Sequence, residues 1–249
     1  MEFIDCNTRV GRLAAPLSPL VEPTAEALLA RMDACAVSSA LCRHEAGCAV
    51  SAAEGNRRIA AVCAEHERLL PVFTLLPPVT GELEEQETLL ETARRAGVQA
   101  FRIFPKIMLF SIAPYAMGEL CEIAAALGKP VMMDIGEAAP DEIQRLASAF
   151  PKVDFLLTAV YYRNLRYLYP ILQTCPNVYL ETGFLKTFGS LEDICARFGA
   201  QRLVFGSGAP YYDMGGAAAH LLAADLREED KALIASGNLE RLCGWGRKQ

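Results

Sequence analysis

Ten polar side chains in this chain of 249 residues share one kind of placement, each closing or closely following a short run rich in apolar residues. Asp134, His44 and Arg9 are the candidate catalytic groups, because a carboxyl or an imidazole can move a proton and a guanidinium can stabilise negative charge. Asn7, Arg102, Lys106, Thr158, Tyr161, Glu181 and Tyr211 are the candidate substrate-binding groups. Arg9 has two readings. It holds the negative charge of a substrate, or it forms an internal salt bridge to Asp134 or Glu181. Arg102 likewise anchors an anionic substrate or pairs with Glu181 or another carboxylate. Asp134 beside an arginine would be held ionised, which favours pairing over proton transfer. Of the three histidines, His66 and His220 fall on or near helical segments, leaving His44 with this placement. Cys6 lies near Arg9, which would lower its pKa, but no histidine is placed beside it, so a buried inert thiol is the simpler reading. Tyr161, Tyr162, Tyr211 and Tyr212 either wall a pocket for a planar or apolar ligand or simply pack.

The elements that must position these groups alternate along the whole chain. Strand-type runs are expected at 2–6, 36–42, 70–76, 98–104, 130–135, 153–157, 177–181 and 202–206. Between them lie amphipathic stretches such as GELEEQETLLETARRAG, where Leu83, Leu89, Leu90 and Ala93 form an apolar stripe and Gly97 supplies a stop. PYAMGELCEIAAALGKP repeats the design with Gly128. Eight strand–helix units without a linker or low-complexity tract predict one (β/α)8 TIM barrel over residues 1–249, with a doubly wound sheet as the alternative. In such a barrel the functional groups come from the C-terminal ends of the strands, where all ten residues fall.

Composition narrows the function classes. Hydrophobic residues at 52% and charged residues at 22% describe a chain able to bury a large core. A net charge of -6 without a basic block argues against a nucleic-acid surface, which needs clustered cations to neutralise phosphates. No stretch approaches the roughly 20 apolar residues of a membrane span, and the first residues lack a signal-peptide pattern, so a cytoplasmic location is expected. Nine cysteines, an odd number without a C-x-x-C pair, predict neither a disulfide framework nor a structural zinc site.

Six segments in order carry a resemblance. FIDCNTRVGR, GNRRIAAVCAEHERLLPVFTLLPP, GVQAFRIFP, GKPVMMDIGE, RLVFGSGAPYYD and DKALIASGNLERLCG resemble successive motifs of the amidohydrolase superfamily, in the branch of aminocarboxymuconate-semialdehyde decarboxylase and its amidohydrolase 2 relatives. The resemblance implies a metal-dependent hydrolase fold acting on a small carboxylated molecule by hydrolysis or decarboxylation. Carried over residue by residue, the family's first-strand metal histidines fall on Asn7 and Arg9, its strand-5 histidine on Asp134, its strand-6 histidine on Thr158 or a neighbour, and its catalytic aspartate on Gly208. A protonated guanidinium has no lone pair to give a metal. The expectation is therefore a degenerate metal site, no zinc or other divalent metal, and Arg9 as a fixed cation in its place. A metal site rebuilt from His44, Asp134 and Glu181 is a third reading, and a catalytically inactive member kept as a small-molecule binder or scaffold is the alternative function. The only partners expected are a carboxylated ligand and a second copy in a homodimer, with no nucleic acid and no membrane.

Overall fold

The computed structural model describes residues 1–12 and 21–245. Eight parallel strands run in sequence order: β1 (Phe3–Val10), β2 (Val37–His44), β3 (Leu69–Leu75), β4 (Ala100–Ile103), β5 (Val131–Asp134), β6 (Phe155–Thr158), β7 (Val178–Glu181) and β8 (Leu203–Val204). The two edges meet through Cys6 N–H donating to Phe205 O (3.0 Å), Gly208 N–H to Asn7 O (2.9 Å) and Arg9 N–H to Ala209 O (3.0 Å). A helix follows each strand and packs outside the sheet, which makes the molecule a (β/α)8 TIM barrel. All eight expected strands are present, with ends displaced by at most four residues.

Two stops are seated as the sequence predicts, Gly97 and Gly128 each ending a helix in the left-handed region (φ 69° and 60°). The first of those helices begins only at Gln86, so Leu83 of the expected stripe lies in the turn before it while still packing against the core. Among the described residues no helix is long and apolar enough to cross a membrane.

Apolar side chains occupy two layers. Outward-facing strand residues such as Val10, Phe101, Met133 and Leu157 pack under the helices. Inward-facing Ile4, Leu41, Val72, Ala100, Met132, Leu156, Tyr179 and Val204 fill the lower lumen, and Leu239 and Leu242 of the helix Asn238–Leu242 pack with them. One step further along the strands the inward positions become Arg43, Thr74, Arg102, Asp134, Thr158 and Glu181. The lumen therefore changes from oil to charge at a single level.

Strand β1 reaches that level by an irregularity. Asp5 is paired with Ala40 and Thr8 with Cys42, so three residues of β1 span two of β2, the signature of a β-bulge. The extra residue reverses the in–out alternation. Ile4 and Cys6 point into the lumen below the bulge, whereas Val10 above it joins the outer layer and leaves Arg9 facing inward. On the opposite flank, Asn56 from the helix Ala52–Glu65 clamps β3. Its amide donates to Thr74 O (2.9 Å) and accepts from Thr74 N–H (2.6 Å), beside the position that pairs with Arg102.

Candidate active site

Three guanidiniums converge at the C-terminal mouth. Arg102, nearly sealed from solvent, donates to Asp134 at 2.5 Å, and the same carboxylate oxygen accepts from Thr158 Oγ1 at 2.5 Å. Arg43 pairs with Glu45 at 2.6 Å. Arg9 reaches the other oxygen of Glu45 only at 3.8 Å, and its guanidinium stands over the Tyr211 ring at 5.2 Å. Between Arg43 and Arg102 lies Phe104, with the two guanidinium carbons 5.0 and 5.4 Å from its ring centroid, an arrangement that offsets part of their desolvation.

Charge is not balanced here. Three arginines face two ion-paired carboxylates, and Nε of Arg9, Nε of Arg43, and Nε and Nη1 of Arg102 are buried without a hydrogen-bond partner among the described residues. Buried donors left unpaired cost free energy that an anionic ligand would recover. Burial and the facing Arg43 lower the pKa of Arg9. Burial pushes the Asp134 carboxyl up, but Arg102 and the Thr158 hydroxyl more than offset it and hold it at about 2. Asp134 is thus held as the ionised partner of Arg102.

Behind these groups sits a second, sealed cluster. Glu181 Oε1 accepts from Asn7 Nδ2 (3.1 Å) and Oε2 from Ala159 N–H (2.8 Å). Ala159 adopts a left-handed backbone (φ 54°), a conformation costly for a residue with a side chain, and in it the amide meets Glu181. A Cβ on Gly206 would lie 2.7 Å from both Cys6 Sγ and Glu181 Oε1, so the carboxyl occupies a seat that only glycine leaves open. Asp5 beside it accepts from Asn7 N–H (2.9 Å), Ser207 N–H (3.0 Å) and Ser207 Oγ. Burial, with Asp5 and Asp134 adding to it against the two hydrogen bonds, raises Glu181 to about 7. Burial also raises Asp5 and lifts the Cys6 thiol well above its ordinary range, with Glu181 adding to the latter, so Cys6 is an inert thiol.

The remaining expected residues surround the mouth. Lys106, Asp134, Tyr161 and Asn164 line an open cleft of about 670 Å³. Tyr161 packs against Phe184 (5.3 Å between centroids) and Phe184 against Tyr212 (4.6 Å), forming an aromatic wall. That wall covers Gly208, where a Cβ would lie 2.9 Å from Tyr212. His44 is at the rim, its Nδ1 accepting from Ala46 N–H (3.0 Å) and its ring packed against Gly11; burial, with Arg58, lowers its pKa.

Pairing differs from expectation in one respect: Arg9 meets Glu45, not Asp134 or Glu181. Arg43, Glu45, Asp5 and Phe104 were not among the expected site residues. Arg43 and Glu45 had a legible signal, since Arg-His-Glu follows the apolar end of β2, and Arg43 lies two residues beyond the lumen-facing Leu41.

The donor set does not fit a divalent metal. Arg9 cannot ligate, the Asn7 amide donates to Glu181, Gly208 has no side chain, and an Asp134 oxygen is taken by Arg102 and Thr158. Among the described residues no group of three or more His, Cys, Asp or Glu is placed to hold an ion, so His44, Asp134 and Glu181 do not assemble one.

Comparison with known proteins places this geometry in context. A family model described as "Amidohydrolase" matches residues 23–245. An uncharacterized TIM-barrel protein, Bb4693, from Bordetella bronchiseptica is similar at 17% identity and TM-score 0.77, covering 98% of this chain and 99% of that one. A dihydroxybenzoic acid decarboxylase from Polaromonas sp. JS666, solved with manganese and the inhibitor 2-nitroresorcinol, is similar at 14% identity and TM-score 0.77, covering 99% and 98%. A 5-carboxyvanillate decarboxylase from Sphingomonas paucimobilis is similar at 16% identity and TM-score 0.73, covering 98% and 99%. No curated protein matches.

Proposed function

The chain belongs to the amidohydrolase family, and from that premise we propose that it acts on a small carboxylated molecule by hydrolase- or decarboxylase-type chemistry without the family's usual metal centre. One observation carries this reading: at the mouth, three guanidiniums face two ion-paired carboxylates, with Arg9 the least compensated. A ligand carboxylate beside Arg9 would complete the charge and engage donors that are otherwise unpaired. Two of the similar structures are decarboxylases of aromatic acids, which supports a carboxylate as the recognised group. The aromatic wall of Tyr161, Phe184 and Tyr212 offers flat faces at the same rim.

In this reading Arg9 fixes the acid and Arg102, locked by Asp134 and Thr158, supports the field behind it. Lys106 and Tyr161 border the cleft by which a ligand enters. His44 is the rim imidazole able to exchange a proton through Nε2, its pKa lowered by burial and by Arg58. A second reading, a binder without turnover, draws on the same geometry: His44 Nδ1 is already engaged by Ala46 and Asp134 is held as an anion, so neither is poised as an acid.

Calorimetry with benzoate and 2,6-dihydroxybenzoate tests the shared claim. Both should bind to wild type and lose affinity in Arg9→Ala; equal binding by the two proteins sinks it. Carbon dioxide release or ester hydrolysis then separates enzyme from binder. Elemental analysis of protein purified without affinity-tag metal should return no stoichiometric zinc or manganese, and a full equivalent would overturn the metal-independent part.

A further inference from the structure

Glu181 is a buried carboxyl that the carboxylate-binding reading does not use. Its two hydrogen-bond donors are both neutral, an amide side chain and a peptide N–H. The groups facing it are Asp5, Cys6 and Asn7 from β1, Asp134 from β5, Ala159 and Tyr161 after β6, and Gly206 after β8. Two of these, Asp5 and Asp134, are themselves carboxyl groups, so ionising Glu181 adds negative charge beside them on one side of the lumen.

Resting on the carboxylate-binding reading, we propose that Glu181 couples ligand binding to a proton: the mouth takes up an organic carboxylate together with one proton, which resides on the Glu181 carboxyl. The step is a transfer from solvent to one oxygen of Glu181, with no other bond made or broken. A neutral Glu181 has an O–H to place, and the neighbouring Asp5 and Asp134 favour that form. An anionic ligand near Arg9 would favour it further, by repulsion across the lumen. Glu181 is a positioning residue in this scheme. It acts on the ligand through the charge of the mouth and through Asn7, two residues before Arg9, rather than by touching the substrate. Burial raises its pKa to about 7, which places the coupling in the neutral range.

Calorimetry with benzoate, which stays ionised throughout, run between pH 6 and 8.5 in buffers of different ionisation enthalpy, measures both affinity and proton uptake. Wild type should bind about thirtyfold more weakly at pH 8.5 than at pH 6, the integral of the proton uptake over that range. Uptake should be about half a proton at pH 7 and rise toward one at higher pH. Glu181→Gln, which keeps the shape and the Ala159 contact, should bind with no proton uptake and a flat profile. His44→Gln should retain the uptake, which separates Glu181 from the imidazole at the rim. If Glu181→Gln does not fold, infrared difference spectra of carbon-13 glutamate-labelled wild type should show a protonated glutamate gained on benzoate binding. Binding without proton uptake, uptake that survives in Glu181→Gln or is abolished in His44→Gln, or no glutamate signal, overturns the coupling and leaves the carboxylate site standing. No benzoate binding by wild type at any pH overturns both.

Discussion

Replacing Glu181 with Gln should make the protein's stability depend differently on pH, by an amount that follows from burial. The carboxyl ordinarily titrates at 4.5 and is raised to about 7 inside the barrel. Below 4.5 it is protonated in both folded and unfolded chains and contributes no difference. Between 4.5 and 7 the unfolded chain ionises it while the folded chain keeps the proton, so the folded state loses ground as pH rises. Above 7 the penalty is constant, at roughly 3 kcal/mol. Glutamine has no such term, so the stability of Glu181→Gln relative to wild type should improve by roughly 3 kcal/mol from pH 4.5 to pH 8. Urea unfolding of both proteins at half-unit pH intervals reads this directly. Parallel stability curves, or a gap that closes as pH rises, would refute the reasoning and show that Glu181 is ionised in the folded protein at little cost.

Three further outcomes are expected. Arg9→Ala should weaken benzoate binding by about tenfold or more, the scale of a lost charged hydrogen bond, with unfolding unchanged or slightly improved because a partly uncompensated cation is removed; calorimetry and urea titration check the two halves. Arg102→Ala should cost about 2–3 kcal/mol, below the usual price of a broken buried pair because the Asp134 side chain is 37% exposed. The stabilisation that Asp134 contributes is fully present above pH 3.8 and lost as pH falls toward 2, so wild type should acid-unfold in that window and Arg102→Ala should lose this step. Asn56→Ala orphans the buried N–H and C=O of Thr74 and should destabilise by about 2–3 kcal/mol, with faster amide exchange at Thr74 as the local signature.

The barrel was legible because its cause is local. Strands buried on both faces must be apolar runs, and β5 and β6 read as Val-Met-Met and Phe-Leu-Leu between amphipathic helical segments. The rim residues were legible for a related reason: a polar residue ending such a run has only the mouth to occupy. Where the reading stopped is equally physical. Leu83 kept the helical spacing, yet the helix starts three residues later at Gln86, because periodicity extends past the point where the chain turns.

Sequence by itself determined which residue types stand at the mouth and that Arg9 cannot ligate a metal, since the absence of a lone pair is a property of the guanidinium and not of its surroundings. Tertiary structure alone decided which charges meet. The bulge between Asp5 and Thr8 turns Arg9 inward against the simple alternation of its strand, and the pairing of β1 with β2 sets it beside Arg43 and within reach of Glu45, rather than beside the carboxylates of β5 or β7. Sealing of Glu181 behind Asn7, Ala159 and the bare Cα of Gly206 joins residues from four strands and the loops that follow them. A carboxyl's proton affinity depends on how much water and which charges surround it, and those are fixed only when the barrel closes.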